Sequence, residues 1–117
     1  MASVRLKSRQ WLVDEKGKII IGEGRREILE NIEKTGSINQ TAKVMRMSYK
    51  GVWSKIKATE HSLNCRVVHT NKKKGSQLTK EGKALLEKYQ ELKERCMRSD
   101  DRIFRAIFLD SPSEEGK

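Results

Sequence analysis

Apolar residues recur at two different intervals along this 117-residue chain, and the change of interval marks its elements. Near the start the interval is two. Val4 and Leu6 alternate with Arg5 and Lys7, and the apolar phase then slips to Trp11 and Val13. A one-residue slip predicts a bulge near residues 8–10. Asp14-Glu15-Lys16-Gly17 is a turn signal and residues 18–21 form a second strand, so residues 4–21 read as a β-hairpin. A lone hairpin is marginal in water and must pack on helices or on another chain.

From residue 25 the interval becomes helical. Ile28, Leu29 and Ile32 give one apolar face to a helix over residues 25–34, which Gly36 ends. Ser37 caps a second helix over residues 38–46, with Ile38, Thr41, Ala42 and Met45 facing inward. Ser48 caps a third over residues 49–63. Tyr49, Val52, Trp53, Ile56 and Leu63 fall on one side of it, and Lys50, Gly51, Ser54, Lys55 and Ala58 on the other. Trp53 reads as core; Tyr49, at the stripe's edge, is open to either side. Arg46 stands four residues after Ala42, where such corners usually place a left-handed glycine, so a left-handed Arg46 is expected.

The interval returns to two over residues 66–70. Asn71-Lys72-Lys73-Lys74-Gly75 turns the chain and residues 76–78 return it, giving a short hairpin with a lysine-rich tip. Thr79 caps a long helix whose stripe holds Leu85, Tyr89, Leu92 and Cys96, with Leu86 and Met97 beside it. Ser99-Asp100-Asp101 reads as a break before a last helical piece with Ile103, Phe104, Ile107 and Phe108. Residues 110–117 read as a disordered tail.

Two helices at a tight corner followed by a β-hairpin make a winged helix-turn-helix. The expected fold is mainly α with small β: one domain over residues 1–109, with an N-terminal β-hairpin (1–22), the helix-turn-helix (37–63), the wing (66–78) and a long C-terminal helix (79–108). Charge sharpens this picture. The net charge is +10, and residues 46–80 carry nine cations against one carboxylate, Glu60. Residues 81–117, by contrast, carry eight cations against nine carboxylates. A polyanion footprint therefore coincides with the second helix of the corner and the wing.

The partner this implies is double-stranded DNA. The candidate contacts are Ser37, Gln40, Lys43 and Arg46 around the corner, then Ser48, Tyr49, Lys50, Gly51, Ser54, Lys55 and Lys57 on the third helix. Lys50, Ser54 and Lys55 are expected in the major groove, with Ser48 and Tyr49 on phosphate. Lys72, Lys73 and Lys74 of the wing are expected on the backbone. One wing and one helix read few base pairs, so a homodimer is expected, through Trp11, Ile19 and Ile21 with Leu85, Tyr89 and Leu92.

These segments resemble the DNA-binding domain of the ModE family of molybdate-responsive transcription factors. The carrying residues are Ser37-Ile38-x-Gln40-x-Ala42-Lys43 and Ser48-Tyr49-Lys50-x-x-Trp53-x-x-Ile56. Gly36 fits, as does Leu78-Thr79-x-x-Gly82, which is also similar to LysR-type domains. The resemblance spans residues 22–95 and implies a winged helix-turn-helix that binds palindromic DNA as a homodimer. Family members of the full type carry molybdate-binding domains after this part. The 117 residues leave no room for them, so molybdate sensing is not carried over and any effector would act through a separate sensor. The expected function is a sequence-specific transcriptional regulator, the alternative an architectural DNA-binding accessory protein.

Other chemistry finds little support. His61, Cys65 and His69 are four apart but span a helix end, a turn and a strand, which gives a metal no common face. Gly22-Glu23-Gly24 is a strand-to-helix turn rather than a phosphate loop. No carboxylate pair or nucleophile–base signature appears, so no catalytic residue, metal or cofactor is expected. Two cysteines make no disulfide framework, and no apolar run is long enough to span a membrane or serve as a signal peptide, which points to the cytoplasm.

Overall fold

The computed structural model describes residues 3–109; the tail expected to be disordered lies outside them. The order is β1 (Leu12–Val13), β2 (Ile19–Ile21), α1 (Glu23–Thr35), α2 (Ile38–Val44), α3 (Tyr49–Leu63), β3 (Val68–Asn71), β4 (Gly75–Leu78) and α4 (Lys80–Phe104). A π-helical turn, Arg105–Leu109, continues α4. This is a winged helix-turn-helix: α1, α2 and α3 form the helical body, and β3 and β4 pair antiparallel as the wing, from Val68 opposite Leu78 to Asn71 opposite Gly75.

Side-chain caps set the helix starts. The Ser37 hydroxyl accepts from Gln40 N, that of Ser48 from Gly51 N and that of Thr79 from Gly82 N, each satisfying one of the free amides of a first turn. Gly36 closes α1 in a left-handed conformation, φ 70°. The core joins Ile28, Leu29 and Ile32 of α1, Ile38 and Ala42 of α2, Val52 and Ile56 of α3, and Leu86 and Tyr89 of α4. Ile21, Val67, Val68 and Leu78 complete it.

The N-terminal hairpin is smaller than its alternation suggests. β1 has two residues instead of a strand from residue 4, and its irregularity falls between Leu12 and Val13 rather than near residues 8–10. β2 has only three residues, so β1 has little edge to pair with. Residues before Leu12 instead lie along α4, where the Tyr89 hydroxyl donates to the Gln10 carbonyl at 2.7 Å. The turn after β1 is fixed by the Asp14 carboxylate, which accepts from Lys16 N and Lys18 N, both at 2.9 Å. Thr59 of α3 ties the hairpin to the body by donating to the Ile20 carbonyl at 2.6 Å.

The expected break at Ser99-Asp100-Asp101 does not occur, and α4 runs for 25 residues through it. Serine and aspartate are only weak helix formers, and without glycine or proline a few tenths of a kcal/mol each do not stop an established helix. Two residues of the expected dimer surface are also committed elsewhere, since Ile21 is 0 % and Tyr89 1 % exposed in the chain's own core. Helix α2 ends at Val44, two residues short of expectation, because Arg46 leaves the helix.

The Leu78-Thr79-x-x-Gly82 segment gains a physical meaning here. Thr79 donates its backbone N–H to the Val67 carbonyl at 2.9 Å and its hydroxyl to the Arg66 carbonyl at 2.6 Å. These bonds draw the first turn of α4 against the base of the wing so closely that a Cβ on Gly82 would overlap the Val67 carbonyl oxygen. Gly82→Ala is therefore expected to destabilise the protein by about 1–3 kcal/mol, the usual range for forcing a methyl into a packed site. Urea denaturation of the two proteins measures this directly.

Candidate nucleic-acid interface

The corner between α2 and α3 presents its polar residues to solvent. Gln40, Lys43 and Arg46 are exposed, as are Ser48, Tyr49 and Lys50 at the start of α3, while Ser37 is half-buried beneath its cap. Arg46 is left-handed, with φ 56°. The turn is closed beside it by Met47 N donating to the Ala42 carbonyl at 2.8 Å. The Ser37 and Ser48 hydroxyls accept backbone amides, which leaves each hydroxyl proton free to donate outward. Ser54 is exposed and donates to the Gly51 carbonyl at 3.0 Å, so its oxygen faces outward as an acceptor. Gly51 is half-buried, and a Cβ there would crowd the Ser48 hydroxyl at 3.1 Å.

The wing tip carries Lys72, Lys73 and Lys74, all exposed. The Asn71 side chain shapes that tip by accepting from Lys73 N at 2.7 Å and Lys74 N at 3.2 Å. Ser76, buried under the wing, donates its N–H to the Gly36 carbonyl at 2.8 Å, which anchors the wing to the end of α1. The wing lysines and the start of α3 thus sit on elements tied to one core.

Two residues of α3 stand differently from what the sequence pattern suggests. Trp53, read as core, is 37 % exposed. Glu60, counted in the sequence as the one acid among nine cations, is buried, and its Oε2 accepts from Val67 N at 2.9 Å and Val68 N at 3.2 Å. Lys55 is exposed and also lines a small crevice with Ile21, Arg25 and Thr59. The signal that moves Trp53 off the buried centre is Thr59. A stripe of apolar residues omits it, yet it is 3 % exposed because its hydroxyl bonds to the Ile20 carbonyl. Counting Val52, Ile56 and Thr59 together, at about 100° per residue, puts Trp53 roughly a quarter-turn away from the buried centre.

Lys57 is half-buried and already engaged. Its Nζ lies 3.1 Å from Glu60 Oε1 and 4.5 Å from the centroid of the Trp53 ring. Arg66 approaches the other Glu60 oxygen at 3.5 Å. The only carboxylate of residues 46–80 is therefore enclosed between two cations and two backbone amides. His61 is exposed on α3 and His69 exposed on the wing, with Cys65 half-buried between them; among the described residues no three His, Cys, Asp or Glu side chains group to hold a metal. No helix among them is long and apolar enough to cross a membrane.

Comparison with known proteins places this arrangement. The family described as bacterial regulatory helix-turn-helix protein, lysR family, matches residues 25–83, from the first turn of α1 to the first turn of α4. The molybdenum transport protein ModE of Azotobacter vinelandii is 32 % identical over 107 residues, covering 88 % of this chain and 39 % of that protein. The chain thus spans about two fifths of that relative's length. The DNA-binding domain of CbnR, solved as a complex with DNA, shares the fold with a TM-score of 0.60 and 24 % identity, over 72 % of this chain and 95 % of that one. Full-length CbnR, a LysR family transcriptional regulator, gives a TM-score of 0.58 at 24 % identity, over 71 % of this chain and 28 % of that one.

Two measurements follow from the geometry. The Glu60 carboxyl is pushed up by desolvation, but its bonds from Val67 N, Val68 N and Lys57 outweigh this and hold its pKa below the ordinary 4.5. A depressed folded pKa gives stability that is present above the unfolded value and lost as pH falls through the folded one. The stability advantage of the wild type over Glu60→Gln should thus be full near neutral pH and shrink as pH falls below 4.5, as thermal melts across that range will show. A left-handed conformation costs a non-glycine residue about 1 kcal/mol. Arg46→Gly should therefore raise the melting temperature slightly, which thermal melts of the two proteins measure.

Proposed function

The chain belongs to the lysR family of bacterial regulatory helix-turn-helix proteins, DNA-binding transcription regulators rather than enzymes, and on that premise we propose that it is a sequence-specific regulator of the ModE type. The observation that carries the proposal is the outward face of α3. Ser48, Tyr49, Lys50 and Ser54 are exposed together at the N-terminal half of the helix that follows the corner, beside a wing tipped with three lysines. A helix N-terminus favours phosphate, and a face of lysine and hydroxyl suits a groove with phosphate walls and a floor of base edges. The 32 % identity to ModE over 107 residues supports this type within the family.

In this reading α3 enters the major groove. Lys50 and Ser54 meet base edges, while Ser37, Gln40, Lys43, Arg46, Ser48 and Tyr49 touch the backbone around them. Gly51 keeps the Ser48 cap uncrowded, and Lys55 acts from the flank of the helix. Lys72, Lys73 and Lys74 lie on the phosphates beside the groove. The protein works in the cytoplasm as a homodimer, reading a two-fold site with two copies of α3. The surface left for pairing combines the exposed Trp11, Val13 and Ile19 of the hairpin region with Leu92, Ile103, Ile107 and Phe108 along α4 and its π-helical end.

Footprinting tests the function: a regulator protects one defined pseudo-palindrome, whereas an architectural protein protects any duplex. Lys73→Ala should weaken operator and random duplexes equally and lower the salt slope of binding by about one unit. Ser54→Ala or Lys50→Ala should instead change the preferred sequence. Sedimentation should give a dimer at micromolar concentration, and Ile107→Glu should shift it to monomer without lowering the melting temperature. A monomer that binds the palindrome with full affinity contradicts the assembly.

A further inference from the structure

Trp53 is a large aromatic side chain that the core does not take up. It is 37 % exposed, and Tyr49, one turn before it, is 49 % exposed. One turn after it, Lys57 sets its ammonium over the indole at 4.5 Å from the ring centroid. Lys57 is itself held by Glu60 at 3.1 Å, and Glu60 is held by the amides of Val67 and Val68. The indole is thus fixed through three contacts to the residues that lead into the wing. It is a positioned aromatic surface, presented on the same helix and beside the same solvent face as Lys50 and Ser54.

At about 100° per residue, Tyr49, Trp53, Lys57, Lys50 and Ser54 follow one another around α3 within less than half a turn. All but Lys57 are exposed, and Lys57 is half-buried by the indole and Glu60. Lysine and serine on such a face answer to phosphates and to the polar edges of bases. A flat apolar ring answers to neither. The one apolar group on the floor of the major groove is the C5-methyl of thymine. We propose that Trp53 is a specificity-determining residue whose indole contacts a thymine methyl in the major groove and so selects an A·T pair at that step of the site. Lys57 acts as a positioning residue: its ammonium, engaged by the ring and by Glu60, orients the indole rather than reading a base. The inference rests on the DNA-binding reading above and names one determinant of its specificity.

The test uses the full chain, as wild type, Trp53→Ala and Trp53→Phe. Each protein selects duplexes from a random-sequence pool. Each is then titrated against the wild-type consensus duplex with single thymines replaced by deoxyuridine, which removes only the methyl. At one or two positions the replacement should weaken wild-type binding about fourfold, the loss for one buried methyl-sized group. Trp53→Ala should bind the thymine and uracil duplexes equally at those positions and select a consensus degenerate there. Trp53→Phe, which keeps an apolar ring and guards against misfolding of the alanine variant, should retain part of the discrimination. If wild type and Trp53→Ala select the same consensus and lose the same factor at every uracil, the assignment of Trp53 is overturned and the DNA-binding reading stands. If the wild type enriches no sequence, the sequence-specific reading fails and this assignment with it.

Discussion

The buried Glu60 carboxylate is the contact on which the functional end of this protein depends. The chain leaves α3 at Leu63, turns through a left-handed Asn64, and must bring Val67 and Val68 into the core before the wing can begin. Val67 is 0 % exposed and lies before β3, so its amide has no sheet partner. A buried amide without an acceptor costs about 1–3 kcal/mol. Glu60 accepts that amide and the next one, and so fixes where the wing starts relative to the helix from which Glu60 itself projects. Thr79 and Gly82 close the same junction from the other side by docking α4 onto Arg66 and Val67.

The same contact shapes the electrostatics. A carboxylate at the surface of residues 46–80 would oppose the field of its nine cations. Buried, and enclosed by Lys57 and Arg66, it is neutralised locally. Lys50 on α3 and Lys72, Lys73 and Lys74 on the wing then face solvent with no acid of that segment among them. Such a one-signed surface raises encounter rates with a polyanion and makes binding depend steeply on salt. Of the acids outside that segment, Glu23 pairs with Arg26 and Lys93, and Glu30 with Arg26.

Helix starts were legible because their signals are local. Ser37, Ser48 and Thr79 each cap the helix assigned to them, and the spacing from Ala42 located the left-handed Arg46. The wing was legible from alternation around a lysine-rich turn, within two residues at either end. The N-terminal strand was not, because alternation states only what residues 4–8 could pair with. β2 offers three residues of edge, and Tyr89 holds Gln10 against α4 instead. The supposed break at Ser99 failed because weak helix propensity yields to a helix already running on both sides.

The class of fold, the position of the corner and the place where positive charge gathers can all be read along the chain. Each of these follows from spacing, capping chemistry or a count of side chains, and none needs a distant partner. Tertiary structure alone decided which polar residues belong inside. Thr59 is buried because the Ile20 carbonyl, 39 residues away, meets its hydroxyl, and Glu60 because two amides of the approaching wing need an acceptor. With Thr59 inside, the buried centre of α3 lies along Val52, Ile56 and Thr59, and Trp53 stands partly exposed at its edge, on the side of Lys50 and Ser54. Hydrophobicity ranks a side chain by its own atoms, whereas burial of a polar group depends on whether the rest of the chain supplies a hydrogen-bond partner.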